Sequence, residues 1–250
     1  MPSEYVMIRT IEDMSLNAWP SHQIQYYDGW LLRFSYFYTH RTNCVEQLGP
    51  SYIPTEEKVR FCEDAYKRWN TPCIFKLTPL INPAFDSYLE AKGYHTEHTT
   101  NVMLCDFNEA ASFSVYDDVT LNDYIPSEWI NGLFLLKKTT NPIHIQIVPS
   151  MYKAIPKETV SAMIKRDGKI IATGLGILDR DYIGIYAIHV DSAYRRQHLA
   201  DHICRSLLAK GYEKGARHAY LQVVDGNTPA IDLYKTLGFS HMYSYWFRVK

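Results

Sequence analysis

Several things are scarce or missing in this 250-residue sequence, and each absence removes a class of function. No run approaches the ~18 consecutive apolar residues needed to cross a bilayer, so no membrane role is expected. The opening MPSEYVMIRT has no basic segment followed by an apolar one, so no secretory signal is expected. Neither sign of charge dominates: 26 Lys and Arg stand against 27 Asp and Glu, a net charge of -1. That balance argues against a nucleic-acid partner gripped by a broadly basic surface and leaves room only for a local basic patch. The cysteines, Cys44, Cys62, Cys73, Cys105 and Cys204, are odd in number and form no C-x-x-C pair. They read as reduced thiols of a cytoplasmic protein. Neither they nor the ten histidines show the clustered spacing of a structural zinc site, so no metal is expected.

What is present is an ordinary globular composition, 46% hydrophobic and 21% charged, long enough for one large domain or two modest ones. The 20 tyrosines either line a polar-aromatic cleft or pack at interfaces with the hydroxyl at water. Strand-like stretches run over Gly29–Tyr38, Cys73–Leu77 and Asn101–Phe107, with helices at Thr55–Trp69 and Ala84–Lys92. Thr55 followed by Glu56 and Glu57 reads as a capped helix start. The polar stretch Asn108–Asp118 is the candidate boundary, which gives domains 1–110 and 111–250.

The second half is more regular. Leu121–Thr139 reads as one or two helices, and Val160–Arg166 and Lys169–Leu178 as a hairpin turned by Asp167-Gly168. Tyr182–Val190 is a third strand. Gln197–Tyr212 is a helix whose apolar residues recur every fourth position, with Gly211 and Gly215 breaking it. Ala219–Val224, Thr228–Leu237 and His241–Val249 then read as strand, helix and strand. Hairpins feeding a βαβ unit describe a mixed α/β fold. A faint repeat is also present: Asn82 lies eleven residues before Gly93-Tyr94, and Asn227 eleven before Gly238-Phe239. The two corners are alike by chance, or both halves share one fold and the first has lost a phosphate-binding unit.

Function concentrates in IHVDSAYRRQHLA, Ile188 to Ala200, and AYLQVVDGNTPAIDLYKTLGF, Ala219 to Phe239. A strand, a turn with Arg195 and Arg196, and a helix start make a place for phosphates, because the first N–H groups of a helix are unpaired. The neighbouring strand–helix unit can hold whatever those phosphates carry.

These residues resemble the GNAT superfamily of acyl-CoA N-acyltransferases. Val190, Tyr194, Arg195, Leu199 and Ala200 match its coenzyme A loop, and His198 stands where glycine is usual. Asn227, Ala230, Leu233, Tyr234, Gly238 and Phe239 match its later signature. The match covers about residues 113–250; the first half, with Trp30-Leu31-Leu32-Arg33 and Arg41-x-Asn43, is similar to the degenerate leading half of tandem GNAT proteins. The resemblance implies a mostly antiparallel sheet flanked by helices, with a second, smaller GNAT-like N-terminal half. It implies acetyl-CoA as donor, held by Ile188, His189, Val190, Arg195, Arg196, Gln197, His198, Leu199, Ala200 and Asn227. Tyr234 would be the general acid that protonates the departing thiolate.

The acceptor implied is a primary amine of a small molecule or peptide, attacking directly. Arg33, Arg41 and Asn43 are candidate acceptor contacts, with surface charge pairing as the alternative. No residue stands out as the base: alternation puts His189 opposite Ile188 and Val190 and Tyr186 beside them, with Glu128 and His144 as further candidates. His198 in a helical conformation would not require glycine, and only cofactor affinity is at issue there. A homodimer is compatible with the sequence. The alternative function is a non-catalytic coenzyme A-binding sensor or interaction module.

Overall fold

A computed structural model describes residues 3–107 and 113–250; the expected domain boundary, between 110 and 111, lies outside the described residues. The chain starts with helix α1 (Glu4–Ala18), capped by the Ser3 hydroxyl, which accepts from Val6 N–H. Its buried residues Ile8, Ile11, Met14 and Ala18 fall at helical spacing. Strands β1 (Gln23–Tyr27) and β2 (Trp30–Phe34) form a hairpin through Asp28-Gly29. Both turn residues have positive φ, 43° and 79°, as a turn matching the strand twist requires. Then come β3 (Val45–Gln47), α2 (Thr55–Arg68), β4 (Ile74–Leu77), α3 (Pro83–Ala91) and β5 (His95–Asp106).

The second half contributes β6 (Thr120–Asn122), α4 (Ser127–Lys137), α5 (Pro142–Lys153), β7 (Glu158–Arg166), β8 (Lys169–Asp179) and β9 (Tyr182–Val190). It ends with α6 (Leu199–Glu213), β10 (His218–Val224), α7 (Thr228–Thr236) and β11 (Ser240–Val249). The mixed α/β architecture is the expected one. Among the described residues, no helix is long and apolar enough to cross a membrane. All five cysteines are free and buried, and burial pushes the Cys105 thiol up to about 11 and the Cys62 thiol up to about 12.

The strands form one 11-stranded sheet in the order β1-β2-β3-β4-β11-β5-β10-β9-β8-β7-β6. Pairing is antiparallel except at β3/β4 and β9/β10. The order is palindromic: β1 to β5 of the first half mirror β7 to β11 of the second, and α2 and α3 mirror α6 and α7. The two final strands are exchanged, so β11 lies against β4 and β5 against β10. This pattern favours a shared fold over chance for the repeat at Asn82 and Asn227. Both helices α3 and α7 end at a glycine with φ near 90°, Gly93 and Gly238. Helices α6 and α7 cover one face of the second half, while α4 and α5 pack on the other around Trp129, Met163, Leu175 and Ile177.

Local expectations are corrected at four places. Thr55 is the first helical residue rather than the cap; Pro54, extended at ψ 136°, precedes it with no side-chain cap. Residues 120–122 are an edge strand on β7, and the helix waits until Pro126 has ended the extended segment. Helix α6 starts at Leu199 rather than Gln197, because His198 is left-handed. Gly211 does not break α6 but lies buried inside it, over Ile183. A Cβ there would sit 2.7 Å from Ile183 Cδ1, 2.9 Å from its Cγ2 and 3.1 Å from its Cβ. The branch point of Ile183 cannot swing away.

This gives a test by sign. Helix propensity alone would make Gly211→Ala stabilising by about 1 kcal/mol. Packing against Ile183 predicts instead a loss of about 1–3 kcal/mol, read as a lower denaturant midpoint at unchanged slope.

Candidate functional site

The parallel pairing of β9 with β10 runs from Tyr182/His218 to Ile185/Leu221 and then stops. Both strands continue, to Val190 and Val224, but apart. The divergence has a local cause. Ala187 has φ 51°, and the β8/β9 register shifts between Leu175↔Tyr186 and Thr173↔His189, so β9 carries an extra residue. Such a bulge bends its strand and resets which face each side chain takes. Ile188 and Val190 therefore pack toward α6 and α7, whereas Tyr186 packs with the cores on the other face. The expectation that Tyr186 shares a face with Ile188 and Val190 is corrected by this bulge, since simple alternation fails across it. His189 does lie opposite them.

On the α6 side the divergence opens a cleft of about 900 Å³. Ile185 to Val190 form one wall and Gln222 to Val224 with Asn227 the other. Tyr194, Arg195, Arg196, His198, Leu199 and Ala200 close one end, and Leu233 and Tyr234 of α7 the side. Gln197 is exposed but does not line it. The turn before α6 is built by Asp191, whose side chain accepts from Ala193 N–H at 2.9 Å and whose carbonyl accepts from Tyr194 N–H. Arg196 and His198 are both left-handed, with φ 60° and 58°. His198 makes no side-chain cap, so the α6 N-terminus presents unpaired N–H groups to the cleft. Arg195 and Arg196 are exposed. The site can therefore hold a phosphate-bearing ligand by amides and guanidinium groups together.

His198 departs from expectation in one respect. It is not helical, so the absent glycine matters to the backbone. A left-handed L-residue costs roughly 1–2 kcal/mol relative to the right-handed form, a cost glycine avoids.

Asn227 occupies the position before α7, but its side chain makes no capping bond. Its amide is exposed on the cleft wall. Tyr234 is 8% exposed and makes no hydrogen bond to another described residue through its hydroxyl. Burial raises its pKa above the ordinary tyrosine value, so the hydroxyl stays protonated and can donate.

A second, smaller cavity of about 150 Å³ opens on the other side of the divergence. Arg41, Tyr186, Ala187, His189 and Gln222 line both spaces, so the two meet between the splayed strands. Its walls are aromatic and apolar: Ala18 and Trp19 from the end of α1, Tyr38, Leu133 of α4, Tyr152 of α5, Leu175 and Ile177. Its cations are Arg41, which donates to Gln222 Oε1 at 2.7 Å, and Lys137, which donates to the Tyr38 hydroxyl at 2.9 Å. Among the described residues, no Asp or Glu lines it. Burial, with Lys137 nearby, pushes His189 down to about 4; burial likewise pushes Tyr186 up to about 12, with its hydroxyl 2.6 Å from that of Tyr220. Both are neutral near pH 7.

Of the three candidate acceptor contacts, only Arg41 reaches this space. Arg33 is buried: it donates to Ser21 and Glu46, to the Trp19 carbonyl, and to the Arg41 carbonyl at 2.6 Å. Asn43 accepts from Ser35 and Phe37 N–H and donates to the Thr39 carbonyl at 2.6 Å. Neither lines a cavity, and neither is a surface charge pair; together they fix the loop that carries Arg41. Glu128, paired with Lys165 at 2.7 Å, and His144, which donates to the Tyr36 carbonyl at 3.2 Å, also lie outside both cavities. Sequence reading missed Trp19, Tyr38, Lys137, Tyr152 and Gln222. They come from five separate elements, and nothing in their local patterns marks them.

The family model described as "probable histone acetyltransferase Rv0428c C-terminal" matches residues 6–247. The chain is 23% identical to the uncharacterized N-acetyltransferase YobR of Bacillus subtilis (strain 168), over 97% of this chain and 98% of that one. Among solved structures it is similar to a GCN5-related N-acetyltransferase from Kribbella flavida, with a TM-score of 0.70 at 14% identity, covering 98% of this chain and 95% of that one. It is also similar to a tandem GNAT protein from the clavulanic acid biosynthesis pathway, with a TM-score of 0.63 at 12% identity, covering 83% and 74%.

The left-handed residue before α6 yields a prediction. His198→Gly relieves the backbone and offsets the usual entropic cost of glycine, about 0.5–1 kcal/mol. The variant is expected to match the parent in thermal stability, read as an unchanged Tm.

Proposed function

Because this chain belongs to the GNAT superfamily of N-acetyltransferases, we propose that it moves an acetyl group from acetyl-CoA to a primary amine. The observation that carries this reading is the divergence of β9 and β10, with a phosphate-type site at one end of the cleft and a separate small cavity behind it. The α6 N–H groups from Leu199 onward, with Arg195 and Arg196, would hold the pyrophosphate, and Asn227 would bond the pantetheine arm. Backbone groups of β9 between Ile188 and Val190, left unpaired by β10, would line up with that arm, and an N–H near Val190 would polarise the thioester carbonyl. In this reading residues 111–250 are the catalytic domain and residues 1–110 a degenerate half that closes the acceptor side. The free, buried cysteines fit a reducing cytoplasm.

The acceptor nitrogen would enter from the smaller cavity and form the new N–C bond as the C–S bond breaks. Tyr234 would give its proton to the leaving sulfur. The nitrogen's own proton would leave through the cavity, where His189 and Tyr186 are titratable groups at the splay of the strands. The surroundings also favour an amine that arrives neutral. Arg41 and Lys137, with no carboxylate beside them among the described residues of the cavity, penalise an ammonium. The same two cations would hold a carboxylate or another anionic group of the acceptor against an aromatic wall. A lysine-rich acceptor, such as the family description suggests, is a poorer match to that charge. The acceptor favoured is a small amine with an apolar body and an anionic end.

Two sets of measurements test these roles. Tyr234→Phe is expected to lower kcat about 10²-fold, within the range for general acid–base help, while acetyl-CoA binding measured by calorimetry stays the same. Thiol release as fast as in the parent would remove the acid role. Across about pH 6–9 the rate should rise as the amine loses its proton, with no inflection near the ordinary histidine value of about 6.5, because His189 is already neutral. An inflection there that disappears in His189→Gln would instead make His189 the base.

The acceptor class is tested with paired amines, one bearing a carboxylate and the other its amide. The acid should be preferred by about tenfold or more, the worth of one charge-assisted hydrogen bond, and Arg41→Ala should erase the preference. Equal use of both by the parent would end the anionic-acceptor reading and leave the transfer chemistry standing.

A further inference from the structure

A cluster of nitrogen and oxygen groups lies outside both cavities. His40 begins the short 3-10 turn His40–Thr42, and Glu97 and His98 lie on β5. His40 and Glu97 are 57 residues apart in sequence, so no local spacing reveals the group. In space, one ligand atom from each of the three side chains lies within 4.8 Å of the other two. His40 Nε2 is 3.0 Å from Glu97 Oε2, and His98 Nε2 is 3.8 Å from the same oxygen.

His98 joins its neighbour through a second bulge. On a regular strand, Glu97 and His98 would point to opposite faces. Here His98 has φ 50°, and the β5/β11 register shifts between Tyr245 and Phe247. The carboxylate is also oriented: its other oxygen, Oε1, is 2.7 Å from His95 Nε2. All three ion-pair partners of Glu97 among the described residues are histidines, with no Lys or Arg. The His40 ring is half-buried and packs near Phe247 and Phe37.

We infer that His40, Glu97 and His98 form a binding site for a divalent cation of the zinc class, with His95 orienting the Glu97 carboxylate. Two imidazoles and one carboxylate are borderline donors that suit Zn²⁺, whose bonds to nitrogen and oxygen are about 2.0–2.2 Å. The two separations from Glu97 Oε2, 3.0 and 3.8 Å, bracket the edge of such a coordination sphere, and a fourth position is left for water. Ligating carboxylates are themselves held by outer hydrogen bonds in such sites, the part His95 would play for Glu97. His40 adjoins Arg41, so the metal would tie the loop carrying that cation to the central strand β5. Its role is structural, and it takes no part in the transfer chemistry.

The test uses the full chain without a histidine tag, stripped with chelator and titrated with Zn²⁺ by calorimetry and with Co²⁺ by visible absorbance. One equivalent should bind, raise Tm and give Co²⁺ absorption bands. His40→Ala and Glu97→Gln should each weaken Zn²⁺ binding by at least about tenfold and remove those bands, and His95→Ala should weaken it by roughly 10–100-fold. Each variant is first compared with the parent, metal-free, by circular dichroism. If His40→Ala does not fold, Glu97→Gln, nearly identical in shape, decides alone. No binding by the parent at metal concentrations on the order of 0.1 mM, or binding unchanged in the variants, overturns the site.

Discussion

The parting of β9 from β10 after Ile185 and Leu221 is the constraint on which the rest of this molecule depends. A parallel pair buried between helices would ordinarily hold to its end, since unpaired backbone groups away from water are costly. Here the extra residue at Ala187 bends β9 while β10 stays paired with β5 as far as Val224↔Thr100. The strands cannot follow one another, and a gap opens through the sheet. That gap joins the large cleft on the α6 side to the small cavity on the other. It also leaves main-chain groups near Val190 without a strand partner, where an extended ligand can take the place of one.

The exchange of β5 and β11 explains why the first half belongs to the site. Because β11 lies between β4 and β5, and β5 between β11 and β10, the first half is stitched to the second by three antiparallel ladders in mid-sheet. Helix α1 then lies across the splay, with Ser15 bonded to Gln222 at 2.7 Å and Asn17 to Asp179 at 2.9 Å. The loop carrying Arg41 comes with it, held by the buried Arg33 and Asn43. The segment between β3 and α2 reads LGPSYIP and lacks the paired arginines of the turn before α6. The first half supplies walls of the small cavity.

Charge is distributed in keeping with that division. The buried ions of the first half neutralise one another: Lys76 bonds Glu12 and lies near Glu46, which in turn meets Arg33 at 3.1 Å. A buried ion is tolerable only when paired in this way. Arg41 and Lys137 have amide and phenol partners instead. Arg195 and Arg196 stand exposed at the other end of the cleft. Positive charge is thus available at both spaces, and among the described residues no carboxylate of the small cavity balances it.

Local chemistry was legible in the sequence wherever a few adjacent residues decide the backbone. Asp167-Gly168 announced its hairpin, the four-residue apolar recurrence announced α6, and Asn227 to Phe239 announced the turn, α7 and the left-handed Gly238. Asp28-Gly29 carried the same hairpin signal, and Ser3 with Ile8, Ile11, Met14 and Ala18 carried a helix signal; both were readable and went unread. The residues around the large cleft lie mainly on two short contiguous segments, so their order survives in the sequence. The small cavity is different. Trp19, Tyr38, Arg41, Lys137 and Tyr152 converge only because two halves exchange their last strands, and Tyr186 changes face only because one residue is inserted opposite Gly174. His198 likewise takes a left-handed backbone that its residue type disfavours. Those outcomes depend on long-range pairing and on a single-residue slip in register, which reverses every side chain beyond it. The sequence by itself determined the fold class and the strand–turn–helix segments beside the large cleft, through contacts between near neighbours. Only the tertiary structure decided the faces, the cavity and its uncompensated charge, because these arise from contacts between residues far apart in the chain.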